Sequence, residues 1–303
     1  MKSKYARVLL LTCGVIWGMT FVVSSVLMKR ITPLQLVALR FALGFFGVLL
    51  LFFPAFRTAK KRDYLVGFAL GVILFLAVWT QMEGLSRTSP SKGSFFLAMN
   101  IIFVPFLARL LFRRSLRFSD GLGAFISFLG LVALSYQSGE IGGLNIGDVL
   151  TLICAVFYAL QIVVMDRYAA ESDFRVILMM ELGVTGCFAI LLSIFTETQP
   201  MLWDSSIILP ALFLGLGGTS LTYLILSWAQ RYIPPTETSI LISTDSFFGI
   251  LFSVILLHEP FTWNLVLGSV LLFSGVLIVI TDGLQILRNQ SNQNHERQSN
   301  EME

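Results

Sequence analysis

The chain has 303 residues, of which 56% are hydrophobic and 13% carry a charge. Because an ordinary soluble domain contains about 25% charged residues, this composition excludes a water-soluble globule and indicates a surface that contacts lipid. The formal net charge is only +3, so the sequence gives no support to a nucleic-acid partner.

Ten predicted transmembrane helices account for most of the chain. A helix that crosses a bilayer core about 30 Å thick needs about 20 mostly apolar residues. The segments that meet this requirement are 8–28, 34–56, 65–85, 93–112, 119–136, 147–165, 174–195, 209–228, 238–257 and 262–280. The sequence therefore predicts an all-α polytopic membrane protein with ten transmembrane helices.

The basic residues predict the orientation of the chain in the membrane. With the N-terminus in the cytoplasm, fifteen of the 21 Lys and Arg residues fall on the cytoplasmic side, four on the opposite side and two within helices. Because cytoplasmic loops carry an excess of Lys and Arg, we expect both termini to be cytoplasmic. The first helix lacks a clear cleavage site and is expected to be retained, and residues 288–303 are expected to form a disordered polar tail.

The two halves of the sequence align with each other. A shift of 141 residues relates the first two helices to the sixth and seventh, and a shift of 145 residues relates the later helices. The resulting pairs include Trp17 with Tyr158, Arg40 with Glu181, Pro90 with Pro235, Asn100 with Asp245, and Gly130 with Gly275. Five spans are an odd number, so the second half must enter the membrane from the opposite side. We therefore predict two inverted five-helix repeats, residues 1–140 and 141–287, an arrangement that suits alternating access.

Several short motifs occur in the order that one transporter family shows. Trp17-Gly18 with Phe21 lies in the first helix, and Pro33 followed by Arg40-Phe41 lies in the second. The run 84–135 is similar to the pattern of the family's third to fifth helices. The loop before the last helix contributes Leu256, His258, Glu259 and Pro260. Together these motifs resemble the EamA branch of the drug/metabolite transporter superfamily over about residues 8–282.

The resemblance implies a secondary transporter of a bacterial inner membrane, in most cases an exporter of amino acids, related metabolites or toxic compounds. It also implies a central cavity between the two halves. The sequence departs from the family pattern at one place, where Arg113-Arg114 stand in the position of a Gly-Glu pair that many members carry. The second half keeps a glutamate there, Glu259.

Polar residues at bilayer depth are the first candidates for function, because an ionisable group there is costly unless it is paired or hydrated. Asn100 and Asp245 fall near the middle of the fourth and ninth helices, and Ser243 lies in the polar stretch around Asp245. We expect these residues to contact substrate. The alternative is a hydrogen bond between neighbouring helices, which Ser and Asn commonly form in membranes.

Three further charged residues are candidates for coupling or gating. Arg40 and Glu181 occupy equivalent repeat positions, where they could hold the two ends of a zwitterion or form a gate. Arg40 could instead anchor the second helix through backbone carbonyls or lipid headgroups. Glu83 lies in the last turn of the third helix, where it is either a proton-accepting carboxylate or a group exposed to water. The hypothesis for coupling is that Asp245 or Glu83 binds the transported proton.

Aromatic residues are candidates for the wall of the binding site, because their rings stack on flat or cationic substrates. The residues with suitable positions are Trp17, Trp79, Tyr158, Tyr223 and Trp228. Packing is the alternative for each of them in a chain that is 13% aromatic. Trp17 and Tyr158 are favoured because they are equivalent in the repeat.

Enzyme chemistry finds little support in the sequence. The two histidines, His258 and His295, lie in a loop and in the tail, so no metal cluster is predicted, and no phosphate-binding loop is present. We expect no enzyme activity, cofactor or metal. The prediction is a proton- or exchange-driven exporter of a small polar metabolite, with a drug exporter and, less favoured, a non-transporting receptor or scaffold as alternatives.

Overall fold

The structure is a computed structural model, and its regular secondary structure is helical. It describes residues 2–88, 93, 96–113, 118–135, 145–169, 171–197 and 205–258, together with 263–264, 266–268, 270–271, 274–275, 277–278 and 281. The predicted tail, 288–303, and the predicted junction between the repeats, 140–141, lie outside these residues.

Helices occupy each predicted position that the structure describes. In chain order they are α1 Lys2–Leu27, α2 Pro33–Phe52, α3 Lys61–Leu85, α4 Asn100–Phe112, α5 Phe118–Ser135, α6 Ile146–Ala169, α7 Phe174–Thr196, α8 Ser205–Leu212, α9 Thr222–Ala229, α10 Pro235–Ile242 and α11 Thr244–Leu257. A 3-10 turn, Phe53–Thr58, extends α2, and a π-helix, Phe213–Leu221, joins α8 to α9.

Seven helical stretches are long and apolar enough to cross a membrane. They are Lys2–Leu27, Pro33–Thr58, Lys61–Leu85, Ile146–Tyr168, Phe174–Thr196, Ser206–Ala229 and Pro235–Leu257. Two shorter apolar helices cover Phe96–Phe112 and Gly121–Gly130. The chain is therefore an all-helical integral membrane protein over the part that the structure describes. The predicted helix 262–280 falls largely outside the described residues, so the count of ten stays a prediction.

Local capping explains where two of the helices begin. Thr32 precedes α2: its hydroxyl accepts a hydrogen bond from the Gln35 amide at 3.2 Å, and the Gln35 side chain accepts one from the Thr32 amide at 3.2 Å. Pro33 suits the first helical position because it has no amide hydrogen to satisfy there. Asp173 caps α7 by accepting a hydrogen bond from the Arg175 amide at 3.0 Å.

Two helix ends that the predicted repeat makes equivalent have the same backbone conformation. Arg113 after α4 and His258 after α11 are both left-handed, with φ of 52° and 57°, and the shift of 145 residues makes them equivalent. Glycine adopts this conformation without a steric cost, which gives a physical reason for the glycine that many family members carry at the position of Arg113. The partner residues Arg114 and Glu259 lie outside the described residues.

Close contacts at glycines show the relative direction of neighbouring helices. A Cβ added to Gly14 would meet Thr244, and one added to Gly18 would meet Phe248, so α1 and α11 run parallel at very short separation. Along the other interface, Trp17 donates a hydrogen bond to the Gly218 carbonyl and Cys13 lies against the Thr222 carbonyl. Hence α1 runs antiparallel to the π-helix and α9.

The equivalent helices α2 and α7 pack against each other in opposite directions. A Cβ added to Gly183 would meet Phe45, and one added to Gly186 would meet Phe41 and Ala42. The other principal contacts occur in matching sets: α1 with α11 corresponds to α6 with α4, and α2 with the π-helix corresponds to α7 with α3. The packing therefore follows the same exchange of halves as the sequence alignment.

Candidate functional site

A cavity lies among α1, α2, α3, α4, α6 and the helices that follow α8. Six pairs of repeat-equivalent residues line it: Trp17 and Tyr158, Thr20 and Gln161, Phe21 and Ile162, Gln81 and Leu226, Leu97 and Ile242, and Asn100 and Asp245. Arg40 and Tyr223 complete the wall. The two halves thus contribute equivalent positions to one shared site.

Arg40 brings a positive charge to this wall. The side chain is buried, its Nε donates to Thr219 Oγ1 at 2.7 Å, and its Nη2 donates to the Gly218 carbonyl at 2.9 Å. Among the residues that the structure describes, no carboxylate lies within 4 Å of the guanidinium. Neutral partners hold the group in place, and the described part of the chain places no counterion within 4 Å of it.

The π-helix supplies the partners of Arg40. In a π-helix the hydrogen bonds span five residues, and such segments occur frequently at functional sites. The Gly218 carbonyl accepts hydrogen bonds from Arg40 Nη2, Trp17 Nε1 at 3.0 Å and Thr222 Oγ1 at 2.9 Å. This one carbonyl therefore links α1 and α2 to the π-helix.

Asp245 brings a negative charge to the cavity. It lies in the first turn of α11, directly after a break at Ser243 that separates α10 from α11. Its Oδ1 accepts a hydrogen bond from Ser246 Oγ at 3.2 Å, and no basic group of the described residues lies within 4 Å. The start of a helix favours a carboxylate, because the unpaired amides there carry partial positive charge.

Asn100 begins α4 at the position equivalent to Asp245. A turn at Met99 interrupts the helix immediately before it, which mirrors the break at Ser243. Ser243 Oγ lies 3.4 Å from Asn100 Oδ1 and also donates to the Ser239 carbonyl at 2.6 Å. Both predicted substrate contacts therefore follow a turn residue within a membrane helix, and Ser243, which does not line the cavity, contacts Asn100.

Aromatic rings and amides form the remaining polar wall. Trp17 packs edge-on against Tyr223 with ring centroids 5.7 Å apart. The Tyr158 hydroxyl donates to Gln81 Oε1 at 3.1 Å. Gln161 Nε2 donates to Glu181 Oε1 at 2.7 Å, so Glu181 contacts the cavity through Gln161. Glu181 is fully buried, and its Oε2 has no hydrogen-bond partner among the described residues.

Three predicted site residues lie away from the cavity. Trp79 stacks on Phe75 with ring centroids 5.8 Å apart, and Trp228 packs on Tyr232 at 5.1 Å. Glu83 pairs with Arg87 at 3.3 Å at the partly exposed end of α3. The structure brings together the other predicted residues: Trp17, Arg40, Asn100, Tyr158, Tyr223 and Asp245 in the wall, with Ser243 and Glu181 behind it.

Sequence reasoning did not select Thr20 and Gln161, which line the cavity at equivalent positions. They lie three residues after Trp17 and Tyr158, which is about one helical turn, so they share a helix face with the predicted aromatic pair. Applying the repeat shift to all polar residues of that face would have found them. Gln81 also lines the cavity, and the sequence analysis did not select it.

Comparison with known families decides the class of protein. The sequence profile of the EamA-like transporter family matches residues 4–136 and, a second time, residues 145–281. The chain belongs to the EamA-like transporter family. The resemblance seen in the short motifs is thereby confirmed, and the protein is a transporter.

Relatives of this EamA-like transporter carry matching names. A protein of Archaeoglobus fulgidus named "uncharacterized transporter" is 27% identical over 278 residues, which cover 92% of this chain and 86% of that protein. The "uncharacterized transporter YvbV" of Bacillus subtilis is 22% identical, covering 88% of each chain. A crystal structure with 17% identity has a TM-score of 0.77 and covers 93% of this chain and 99% of the other, which shows the shared fold.

The cavity of this EamA-like transporter is lined by polar and aromatic side chains. Within the described residues, no group of three or more His, Cys, Asp or Glu side chains could hold a metal ion. The cavity wall contains one guanidinium, one carboxylate, three carboxamides and three aromatic side chains that carry a hydroxyl or an indole N–H.

Proposed function

We propose that this transporter exports a small zwitterionic metabolite, such as an amino acid or a related compound, by alternating access. The observation that carries the proposal is the presence of Arg40 and Asp245 in one buried cavity, each without an oppositely charged partner among the described residues. An isolated charge at bilayer depth costs several kcal/mol, so both charges call for a ligand that compensates them.

A zwitterion satisfies both charges at once. The N–H groups of Arg40 that neither Thr219 nor Gly218 occupies would bind a carboxylate, for which the guanidinium fork is well shaped. Asp245 would accept hydrogen bonds from the ammonium group. The rings of Trp17, Tyr158 and Tyr223 would contact the apolar part of the substrate.

Three observations support alternating access between inverted repeats. The family profile matches the two halves separately, and the equivalent helices α2 and α7 run antiparallel. Equivalent residues from both halves also line the cavity in six pairs. Two similar packings that exchange roles would expose one central site first to the cytoplasm and then to the opposite side.

For coupling, we propose that Asp245 binds the transported proton, with Glu83 as the second candidate. Asp245 is favoured because it lines the cavity, so the presence of substrate can affect its protonation directly. Transport by Asp245→Asn is expected to lose its dependence on a pH gradient, and Glu83→Gln is expected to keep it. Full pH dependence in both variants would refute a coupling proton at either residue, and an exchange mechanism would then remain.

A second candidate function is export of an apolar cation, such as a toxic compound. The aromatic wall and Asp245 favour it, because aromatic faces and a carboxylate together bind organic cations. Arg40 argues against it, since a cation would enter a cavity that already contains an uncompensated positive charge.

Ligand binding to the purified protein distinguishes the two candidates. The thermal unfolding temperature is measured with each L-amino acid, its amide, which lacks the carboxylate, and the corresponding decarboxylated amine. Binding of one zwitterion is expected to raise this temperature, because a ligand at 100 times its Kd stabilises the folded state by about 2.7 kcal/mol. If the amide and the amine stabilise the protein as well as the amino acid does, the carboxylate is not recognised and the cation exporter is favoured.

A further inference from the structure

A buried ion pair joins the start of α1 to the start of α10. Arg7 Nε binds Glu237 Oε1, and Arg7 Nη2 donates to Glu237 Oε2 at 3.3 Å, so the contact has two points. The two side chains are only 9% and 4% exposed, although 230 residues separate them in sequence. Lys2 lies over the Tyr232 ring at 5.7 Å and covers the same end of the bundle.

The ion pair lies below the cavity, between it and the end of the bundle that contains the N-terminus. At a rise of about 1.5 Å per residue, Arg7 lies about 15 Å from Trp17 along α1. Glu237 lies about 12 Å from Asp245 along the helical stretch Pro235–Leu257. Neither Arg7 nor Glu237 lines the cavity. A bound solute would have to pass this level to reach the cytoplasm.

Glu237 lies near the start of the helical stretch Pro235–Leu257, in which Ser243 is a turn residue that keeps a right-handed backbone, with φ of −66° and ψ of −6°. The break at Ser243 separates the eight-residue α10 from α11. Beyond the break, α11 is held against α1 by the close contacts of Gly14 with Thr244 and of Gly18 with Phe248. A hinge at Ser243 would let α10 leave α1 while these contacts stay in place.

The opposite end of the bundle carries an equivalent charge of opposite sign. The repeat shift relates Arg7 to Asp148 at the start of α6, which is buried and accepts a hydrogen bond from Thr88 Oγ1 at 2.7 Å. In the predicted inverted repeat α1 and α6 run in opposite directions, which would place Arg7 and Asp148 at opposite ends. In the sequence, the position equivalent to Glu237 is Lys92, which lies outside the described residues.

We infer that the Arg7–Glu237 ion pair is the cytoplasmic gate, and that its separation opens the cavity to the cytoplasm by movement of α10 about Ser243. The inference rests on the proposed transport function and on the orientation with a cytoplasmic N-terminus. In the closed state the two charges compensate each other away from water. In the open state each is hydrated, so the ion pair costs little to separate when the cytoplasmic end fills with water.

Removal of one partner should therefore favour the open state. Glu237→Gln leaves Arg7 buried without a counterion when the gate is closed, whereas opening hydrates it. The test uses a reporter cysteine, Thr20→Cys in the cavity wall, in a protein whose Cys13, Cys154 and Cys187 are replaced by alanine. A membrane-impermeant maleimide is applied to inside-out and to right-side-out vesicles, and the rate of labelling is measured.

In inside-out vesicles, Glu237→Gln and Arg7→Gln are expected to label about tenfold faster than the parent, which corresponds to about 1.4 kcal/mol in favour of the open state. The exchanged pair, Arg7→Glu with Glu237→Arg, is expected to return the rate to near that of the parent. Arg62→Gln is the matched control, because it breaks the exposed Arg62–Glu171 pair, 2.6 Å long, without touching the gate.

An unchanged rate in Glu237→Gln, or an equal increase from both sides of the membrane, would refute the gate. If the single variants do not reach the membrane, the exchanged pair decides: slow labelling supports the gate, and fast labelling refutes it. Labelling reports access and not transport. A protein with the expected labelling but no solute movement would refute the proposed function alone, whereas transport without the labelling pattern would refute the gate alone.

Discussion

The close packing of α1 on α11 makes Gly18→Ala a demanding test of the structure. A Cβ at residue 18 would lie 2.5 Å from the Phe248 Cβ, 2.8 Å from the Phe248 carbonyl carbon and 2.8 Å from the Gly249 nitrogen. Carbon atoms in ordinary contact are about 3.5–4.0 Å apart, so the two helices would have to separate by roughly 1 Å. Rotation of a side chain cannot relieve contacts with backbone atoms.

The expected loss of stability follows from two opposing effects. Overpacking a well-packed interface costs about 1–3 kcal/mol, and the backbone clash places this site near the upper end. Alanine offsets about 0.5–1 kcal/mol, because it loses less conformational freedom than glycine when a helix forms. The net expectation is a decrease of about 2 kcal/mol in the free energy of unfolding.

The measurement is reversible unfolding in mixed micelles at increasing fractions of denaturing detergent. Gly121→Ala is the matched control, because a Cβ at that position of α5 meets nothing within 4 Å. It is expected to keep or slightly raise the stability of the protein. Equal stability of the two variants would show that α1 and α11 do not approach each other as the structure describes.

Three further variants test the cavity and its frame. His258→Gly is expected to raise the free energy of unfolding by about 1 kcal/mol, because glycine adopts the left-handed backbone conformation at this position, with φ of 57°, without the steric cost of a side chain. A loss of stability in the same micelle titration would contradict this interpretation of the helix end. Thr219→Val removes the oxygen that accepts a hydrogen bond from Arg40 Nε and is expected to lower transport about tenfold while the fold stays intact. Thr219→Ser, which keeps the oxygen, should keep transport. Equal rates of solute efflux from cells that produce the two variants would show that this hydrogen bond does not position Arg40. Tyr158→Phe removes the hydroxyl that donates to Gln81 and is expected to lower the free energy of unfolding by about 1 kcal/mol. The same substitution should cost less in a protein that already carries Gln81→Leu, because the hydrogen bond is then absent. Additive losses in this double-mutant cycle would argue against the hydrogen bond.

Composition and hydrophobic runs were sufficient to predict the helices, because the bilayer sets both their length and their apolar character. The positions of α3, α6 and α7 agree with the prediction to within a few residues. The repeat shift also brought Asn100 and Asp245 together as candidates before any geometry was known, and the structure places both in the cavity wall.

Helix interruptions could not be predicted in the same way. The π-helix 213–221 lies inside an apolar run that is continuous in sequence, and the polar residues around Ser243 do not by themselves predict a turn there. Both features depend on packing against neighbouring helices. The side of a helix on which an aromatic ring lies could not be predicted either. Trp17 and Trp79 both lie in apolar helices, but Trp17 lines the cavity and Trp79 stacks on Phe75 away from it. The ion pair of Arg7 with Glu237 could not be predicted from the sequence, because 230 residues separate the two.

Transport through the Arg40 and Asp245 cavity is tested most directly by an untargeted comparison of metabolites inside and outside cells that produce the protein. Cells that produce Asp245→Asn serve as the control, with both proteins present at equal levels in the membrane. We expect a zwitterionic solute to accumulate outside the cells only with the unaltered protein. If both proteins export the same solute equally, Asp245 is not part of the transport site, and if neither does so, the proposed export is wrong.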